Sequence, residues 1–547
     1  MTRRLPLLPL AVMAVGFGIP LMAVLARAAG SPRAVAELAA SPYFRRVAVF
    51  TLRQAALSTL FSVLAGLPGA WLVARFRFPG RRLMKSLTTV PFVLPPILAV
   101  LGFILVFGNS GWLNSVRSLL TGGDGRPWRI LYSMKAIILA HVFYNYPITV
   151  RLVADSWAAI PRSTMKAARS LGAGPLRAFV SVGAIRLVPA VLTSAVVTFL
   201  YCLLSFAVVL VLGGGPEYST IEVEVFRLIK TRLDFAAGSA LSVVESVAAF
   251  LFLGLYAWLV KRMRRGTEDD VRSPELIEPR ALKGLLWIPA VLYLLPAVGL
   301  IVLPLVAVAV HSVLVSPTRQ APAQLSLSTW AATFSGRRVG AAVPLAAVLR
   351  SMVLGSAVAL FTTLIAAAAA RFRAVRSGFS MGVFDGVMAL PLGVSPVILG
   401  FGHLIIGQYL PRGDAVRLAA IALVHVVIAL PFAYRILLER FRGIADRIVQ
   451  AARASGAGPL RTFVTVELPL ARRALVTVAV FSLALSAGEM NSTIILAPGS
   501  FTTLPLAIYR MIGAYDIDGA CVLGTILIAV TTVAFLLVDR YGEGGQS

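Results

Sequence analysis

Asn145, Tyr146, Glu245, Glu489 and Asn491 are polar side chains set inside runs of the sequence that are otherwise apolar. Such groups are costly at membrane depth and persist where they meet a solute path, an ion or a polar partner on another helix. Asn145 and Tyr146 precede Pro147, whose missing N–H would break or kink a helix at that point. Glu489 and Asn491 belong to SAGEMNSTIIL, a polar interruption of an apolar stretch. The chemistry these five could do is binding and passage of a small solute. The plainer reading of each is a satisfied contact between helices.

Chemistry that makes or breaks bonds has no carrier here. The pattern GxxxxGK[ST] occurs nowhere, so the chain has no Walker loop to cradle nucleotide phosphates. His141 and His425 hold matching positions, but neither has a neighbour at ligand spacing, so no metal site and no bound cofactor are expected. Cys202 and Cys521 both lie in apolar segments, where a buried small hydrophobe is the expected role.

One polar passage is written twice. Residues 167–182 read AARSLGAGPLRAFVSV and residues 451–466 read AARASGAGPLRTFVTV, identical at twelve of sixteen positions. Ala167, Ala168 and their counterparts Ala451, Ala452 are helix formers without bulk. Gly172 and Gly456 permit a turn that a residue with a Cβ resists. Gly174-Pro175 and Gly458-Pro459 restart a helix with Pro at its first position. Leu176, Phe179 and Val180 give the restarted helix an apolar stripe. The product is a helix–turn–helix knob, and two near-identical knobs suit a partner with two equal sockets.

The elements that must hold these residues are membrane helices. The chain has 547 residues, of which 58% are hydrophobic and only 14% charged. Apolar stretches long enough to cross a bilayer recur throughout. They predict an all-α polytopic fold with helices near 6–28, 54–74, 87–109, 133–153, 187–212 and 237–260. A second set is predicted near 285–312, 345–370, 384–408, 416–436, 473–497 and 518–538. The first run follows Arg3 and Arg4 and ends in ARAAG like a signal peptide, but its length favours a retained anchor.

The net charge of +28 does not indicate nucleic acid, because Arg and Lys cluster in short segments between apolar runs. Arg75, Arg77, Arg81, Arg82 and Lys85 form one such cluster, and KRMRR at 261–265 another. The basic loops alternate along the chain, which places them on the cytoplasmic side with both termini. Arg45, Arg46 and the loop at 117–129 go against that majority. The polar stretch 261–284 separates residues 1–260 from residues 285–547. At an offset of 284, Lys166 meets Gln450, His141 meets His425, Pro147 meets Pro431 and Arg151 meets Arg435. ARFR at 74–77 recurs at 370–373, and Pro91 and Pro96 are echoed by Pro391 and Pro396. Each half is therefore six helices with the knob between its fourth and fifth, and the halves are parallel repeats.

The knobs resemble the "EAA" loop of ABC-importer permeases, whose pattern is Glu-Ala-Ala, three residues, Gly, nine residues, Ile, one residue, Leu-Pro. The loop at 439–472 matches at Ala451, Ala452, Gly456, Leu468 and Pro469, with Gln450 for Glu and Val466 for Ile. The loop at 155–186 matches at Ala167, Ala168 and Gly172, with Val182 for Ile, and departs at Lys166, Ala184 and Ile185. Two fused six-helix halves are similar to the permeases of the iron(III) and thiamine importers. GWLN at 111–114, ILAHVFYNYP at 138–147, LGGGPEYSTIEVEVFR at 212–227 and TLPLAIYRMIGAYDIDGA at 503–520 are closer to the thiamine group. The resemblance implies a permease subunit in the cytoplasmic (inner) membrane. It implies two copies of an ATPase that uses ATP-Mg, each docked on one loop, and a periplasmic or lipid-anchored binding protein that delivers a small-molecule substrate. Gly213, Gly214, Gly215 and Pro216, on the outer side, are expected to face that binding protein. The competing class is a twelve-helix secondary transporter, which has no partner for the knobs.

Overall fold

Runs dominated by Leu, Val, Ala and Ile satisfy their backbone only as helices once water is removed. The computed structural model describes residues 7–542 except 82–83, 85–93, 123–125, 161, 269–279, 316–323, 336–343, 377 and 412. The first half contains α1 (Leu7–Ala29), α2 (Pro42–Arg75), α3 (Pro96–Phe107), α4 (Met134–Ala158), α5 (Ile185–Leu203) and α6 (Phe235–Glu268). The second contains α7 (Trp287–Val313), α8 (Pro344–Ala374), α9 (Pro396–Gly407), α10 (Asp414–Arg442), α11 (Arg472–Gly488) and α12 (Ile517–Gly542). Ten described helices are long and apolar enough to span a membrane, and twelve if each of two bent pairs counts as one span.

Capping chemistry sets several starts. Pro42, Pro96 and Pro396 each stand at the first position of a helix, where no N–H is needed. The Ser395 hydroxyl accepts from the Ile398 N–H at 3.2 Å and closes the start of α9. Pro91 and the start of the run at 87–109 lie outside the described residues.

Three expected helices are broken. The run at 384–408 is a helix to Ala389, a tight turn at Leu390–Gly393 and then α9, with a 94° bend between the arms. Pro396 cannot continue a helix from the preceding residues, so the axis turns there. The run at 187–212 stops at Leu203 and resumes at Ala207–Leu212, and the run at 473–497 stops at Gly488 and resumes at Asn491–Leu496. Pro147 and Pro431, by contrast, are held inside continuous helices, α4 and α10. The linker is helical to Glu268, lies outside the described residues over 269–279, and returns at Arg280–Ala281 to pair in parallel with Phe76–Arg77.

The halves are interlocked through their first helices. α1 packs on α9 of the second half and α7 packs on α3 of the first. A Cβ on Gly402 would run into the Pro20 backbone carbonyl, and one on Gly102 into that of Pro304. The Tyr293 hydroxyl on α7 donates to the Ala65 carbonyl on α2 at 2.9 Å, and the Tyr146 hydroxyl on α4 donates to the Ala297 carbonyl on α7 at 3.1 Å. Close glycine contacts of this kind replace hydrophobic burial as the adhesive between helices in lipid. Gly402→Ala and Gly102→Ala are expected to lower the thermal stability of the purified chain, because overpacking costs roughly 1–3 kcal/mol. Gly407→Ala, with nothing within 4 Å of an added Cβ, is expected to leave it unchanged.

Candidate functional site

A cavity of about 590 Å³ opens between the two halves. α4 contributes His141, Tyr144, Asn145 and Arg151, and the break after α5 contributes Leu204, Ser205 and Phe206. The second half supplies Phe432 and Arg435 from α10, Phe481 from α11, and Asn491 from the segment after the second break. Among the described residues no Asp or Glu lines it. The cavity is therefore apolar and aromatic in bulk, with two amides, two guanidiniums, two phenols, an imidazole and a hydroxyl as its polar groups, the composition of a small-molecule site.

The breaks after α5 and α11 are held by matching histidines. On one side His141 Nε2 hydrogen-bonds with Ser205 Oγ at 2.8 Å and Nδ1 with Ser58 Oγ at 2.9 Å. On the other, His425 Nε2 lies 2.9 Å from Glu489 Oε2, and Nδ1 hydrogen-bonds with Ser486 Oγ at 2.8 Å. Glu489 also accepts from the Ser492 N–H at 3.0 Å and from its hydroxyl at 2.7 Å, so it caps the helix that resumes at Asn491. Ser205 and Glu489 are equivalent at the offset of 284. Each break exposes backbone groups that would be unsatisfied in lipid, and these side chains fix where the chain turns.

The five pathway candidates separate. Asn145 and Asn491 meet at the cavity, and the Asn145 amide donates to the His141 carbonyl at 2.8 Å. Glu489 is behind the wall, bound to His425. Tyr146 points to α7 through its bond to Ala297. Glu245 is fully buried on α6 beside Glu222, away from the cavity. The sequence reading passed over Arg151, Arg435, Tyr144, Tyr201, Phe432 and Phe481 as pathway residues. The repeat carried the signal for two of them, because Arg151 and Arg435 are the same charged residue type at one register of the duplication.

The repeated passages project from the end of the bundle that carries the basic clusters. Helix Arg162–Ser170 ends at Gly172, with φ +83°, and helix Asp446–Ala454 ends at Gly456, with φ +82°. The Ala173 N–H bonds the Ala168 carbonyl and the Gly172 N–H bonds that of Arg169; Ala457, Ala452, Gly456 and Arg453 repeat the pattern. This is the Schellman closure, which requires a left-handed residue at its centre. Ala167 and Ala451 are exposed, and Ala168 and Ala452 half-buried. Leu176 and Val180 are exposed, whereas Phe179 turns inward and stacks on Trp157 at 5.1 Å. Phe463 meets Phe441 in the same way in the second half. Leu468 is half-buried and Pro469 exposed.

Among the described residues the loops differ in an ion pair. Arg371, at the end of α8, forms an ion pair with buried Glu467 in the second loop, whereas Arg75 and Gly183 hold the matching places in the first half. Arg371→Ala is expected to destabilise the protein by about 3–5 kcal/mol, since it leaves a buried carboxylate unpaired. Arg75→Ala is expected to cost far less, and thermal unfolding of the two variants checks the difference.

At the opposite end, Gly213 is buried, Gly214 has φ +70° against the Tyr132 ring, Gly215 has φ +142°, and Pro216 is exposed. The turn leads to Ile221–Lys230, whose first N–H donates to Thr51 Oγ1 at 2.9 Å. The second half repeats this at Leu504, which donates to Ser351 Oγ at 2.7 Å.

Residues 59–265 and 359–543 match the family described as binding-protein-dependent transport system inner membrane component. The thiamine transport system permease protein ThiP of Brucella abortus (strain 2308) is 28% identical over 508 residues, covering 91% of this chain and 88% of its own. Its namesake from Salmonella typhimurium is 29% identical over 556 residues, covering 98% of each. Among solved structures, a bacterial ABC transporter involved in the import of the acidic polysaccharide alginate overlays 43% of this chain and 83% of its own, with a TM-score of 0.36 and 16% identity. The family match spans most of both six-helix halves. The chain belongs to the binding-protein-dependent transport system inner membrane components: it is a multi-pass permease subunit of an ABC importer, not an enzyme, and ATP hydrolysis resides on a separate subunit.

Proposed function

We propose that this permease imports thiamine or its phosphate esters, and that the cavity between the halves is the compartment through which the solute passes. The observation that carries the reading is similarity along nearly the whole chain to thiamine permeases, which takes in both halves of the cavity wall. The wall agrees with it chemically. Tyr144, Tyr201, Phe432 and Phe481 offer faces to a flat heteroaromatic solute, and cationic rings are attracted to such faces. Iron(III), the other substrate suggested by the fused layout, is a hard cation that calls for anionic oxygen ligands. Among the described residues the cavity lining has no carboxylate, and the phenols of Tyr144 and Tyr201 are its acidic oxygens.

In this reading two copies of an ATPase dock on the knobs around Gly172 and Gly456, and a periplasmic or lipid-anchored protein delivers solute near Gly213–Pro216. Both termini lie in the cytoplasm, and the stretch 261–284 joins the halves there. Closure of the ATPase pair moves the knobs, and α5 and α11 carry that movement to the breaks at 204–206 and 489–490. Uptake of labelled thiamine and of labelled iron(III) by cells with and without the chain tests the substrate. Loss of thiamine uptake alone supports the proposal; loss of iron uptake alone overturns it.

A further inference from the structure

The cavity carries fixed positive charge that a free thiamine molecule does not explain. Arg151 and Arg435 line it, one from each half, at the same register of α4 and α10. Among the described residues neither makes an ion pair or a hydrogen bond, and no carboxylate lines the space they share. Both residues are exposed. Each stands one turn before an acid of its own helix, Asp155 and Glu439, without pairing to it, and two guanidiniums at one place in the repeat, lining one cavity, suit a ligand of opposite sign. Guanidinium is also the side-chain group best matched to phosphate, because its planar fork donates two parallel hydrogen bonds.

The remaining wall fits the rest of such a ligand. Tyr144 and Phe481 present aromatic faces, and Asn145 and Asn491 present amides that can both donate and accept. Free thiamine is a thiazolium cation, which two guanidiniums repel. Esterification puts a phosphate on the end of the molecule away from the aminopyrimidine, so the cationic ring can lie on the aromatic faces while the phosphate meets the arginines.

We propose that Arg151 and Arg435 form an anion clamp that makes this permease select phosphorylated forms of its aromatic solute over the uncharged-tail alcohol. The anion part stands on the cavity alone; the identity of the ring rests on the function proposed above.

The test is a thermal-shift titration of the purified full-length chain with three probes: thiamine diphosphate, thiamine and inorganic pyrophosphate. The clamp predicts that thiamine diphosphate binds about tenfold or more tighter than thiamine, a gap of about one charge-assisted contact. In Arg151→Gln/Arg435→Gln the diphosphate loses about that factor, while thiamine binds at least as tightly as before. Arg151→Lys/Arg435→Lys, which keeps the charge without the fork, falls between. Size-exclusion profiles identical to the parent establish that the variants are folded. Thiamine binding as tight as the diphosphate, equal weakening of all probes in the Gln variant, or no response to either anion overturns the clamp. Arginine-dependent binding in which thiamine diphosphate is no tighter than pyrophosphate upholds the clamp and overturns the thiamine reading instead.

Discussion

Gly456→Trp is expected to reduce solute uptake about tenfold or more while the chain still inserts and purifies as a folded bundle. Gly456 has φ +82°, and forcing a side chain into that left-handed conformation costs about 1–2 kcal/mol. Such a cost shifts a local conformational balance by a factor of roughly 5 to 30. The Schellman closure around it then reopens, and helix Asp446–Ala454 changes its angle to the segment that begins at Pro459. The bundle does not feel this, because nothing lies within 4 Å of a Cβ at that position. An ATPase docked on the knob, as proposed, would feel it, and the indole adds bulk on the exposed face. ATP hydrolysis by the assembled complex is expected to continue without matching transport. Gly458→Ala serves as the control: its φ is −62°, which any residue adopts, and nothing lies within 4 Å there either. Uptake and hydrolysis measured side by side on the two variants check the prediction.

Glu489→Ala is expected to abolish transport and lower thermal stability together. The substitution removes the partner of His425 Nε2 and the acceptor for both the N–H and the hydroxyl of Ser492. Breaking a buried interaction of this kind by deleting one side costs about 3–5 kcal/mol. The break between α11 and the helix at Asn491–Leu496 would lose its fixed geometry, and Asn491 its place at the cavity. The first half suggests the conservative replacement. There Ser205 occupies the equivalent position and reaches His141 at 2.8 Å. Glu489→Ser is accordingly expected to retain more stability and more uptake than Glu489→Ala. Equal loss of uptake with stability kept in Glu489→Ser would mean that the carboxylate acts on the solute rather than on the fold.

Much of the architecture was legible because membrane helices announce themselves by length and composition, and the duplication supplied an internal check at a fixed offset. The turn at Gly172 was legible for a local reason, since only a residue without a Cβ closes that motif cheaply. The break at Leu204–Phe206 was not. No Gly or Pro falls there, and what fixes it is His141, sixty-four residues earlier in the chain. The exchange of first helices was hidden as well, because Gly102 and Gly402 record close packing without naming Pro304 and Pro20 as the partners. Polar residues in apolar runs were correctly found but unevenly informative. Tyr146 satisfies a contact between helices, as the plainer reading allowed. Among the described residues Glu245 is buried beside Glu222 with no hydrogen-bond partner on either carboxylate oxygen, and Arg151 and Arg435 line the open space.

The measurement that bears most directly on the central claim is uptake of labelled thiamine into proteoliposomes that contain this chain together with its ATPase. Thiamine is offered outside with the binding protein, and ATP is sealed inside. The account predicts uptake that requires both ATP and the binding protein and that ceases in Gly456→Trp. Uptake driven by a proton gradient, without ATP or the binding protein, would contradict it.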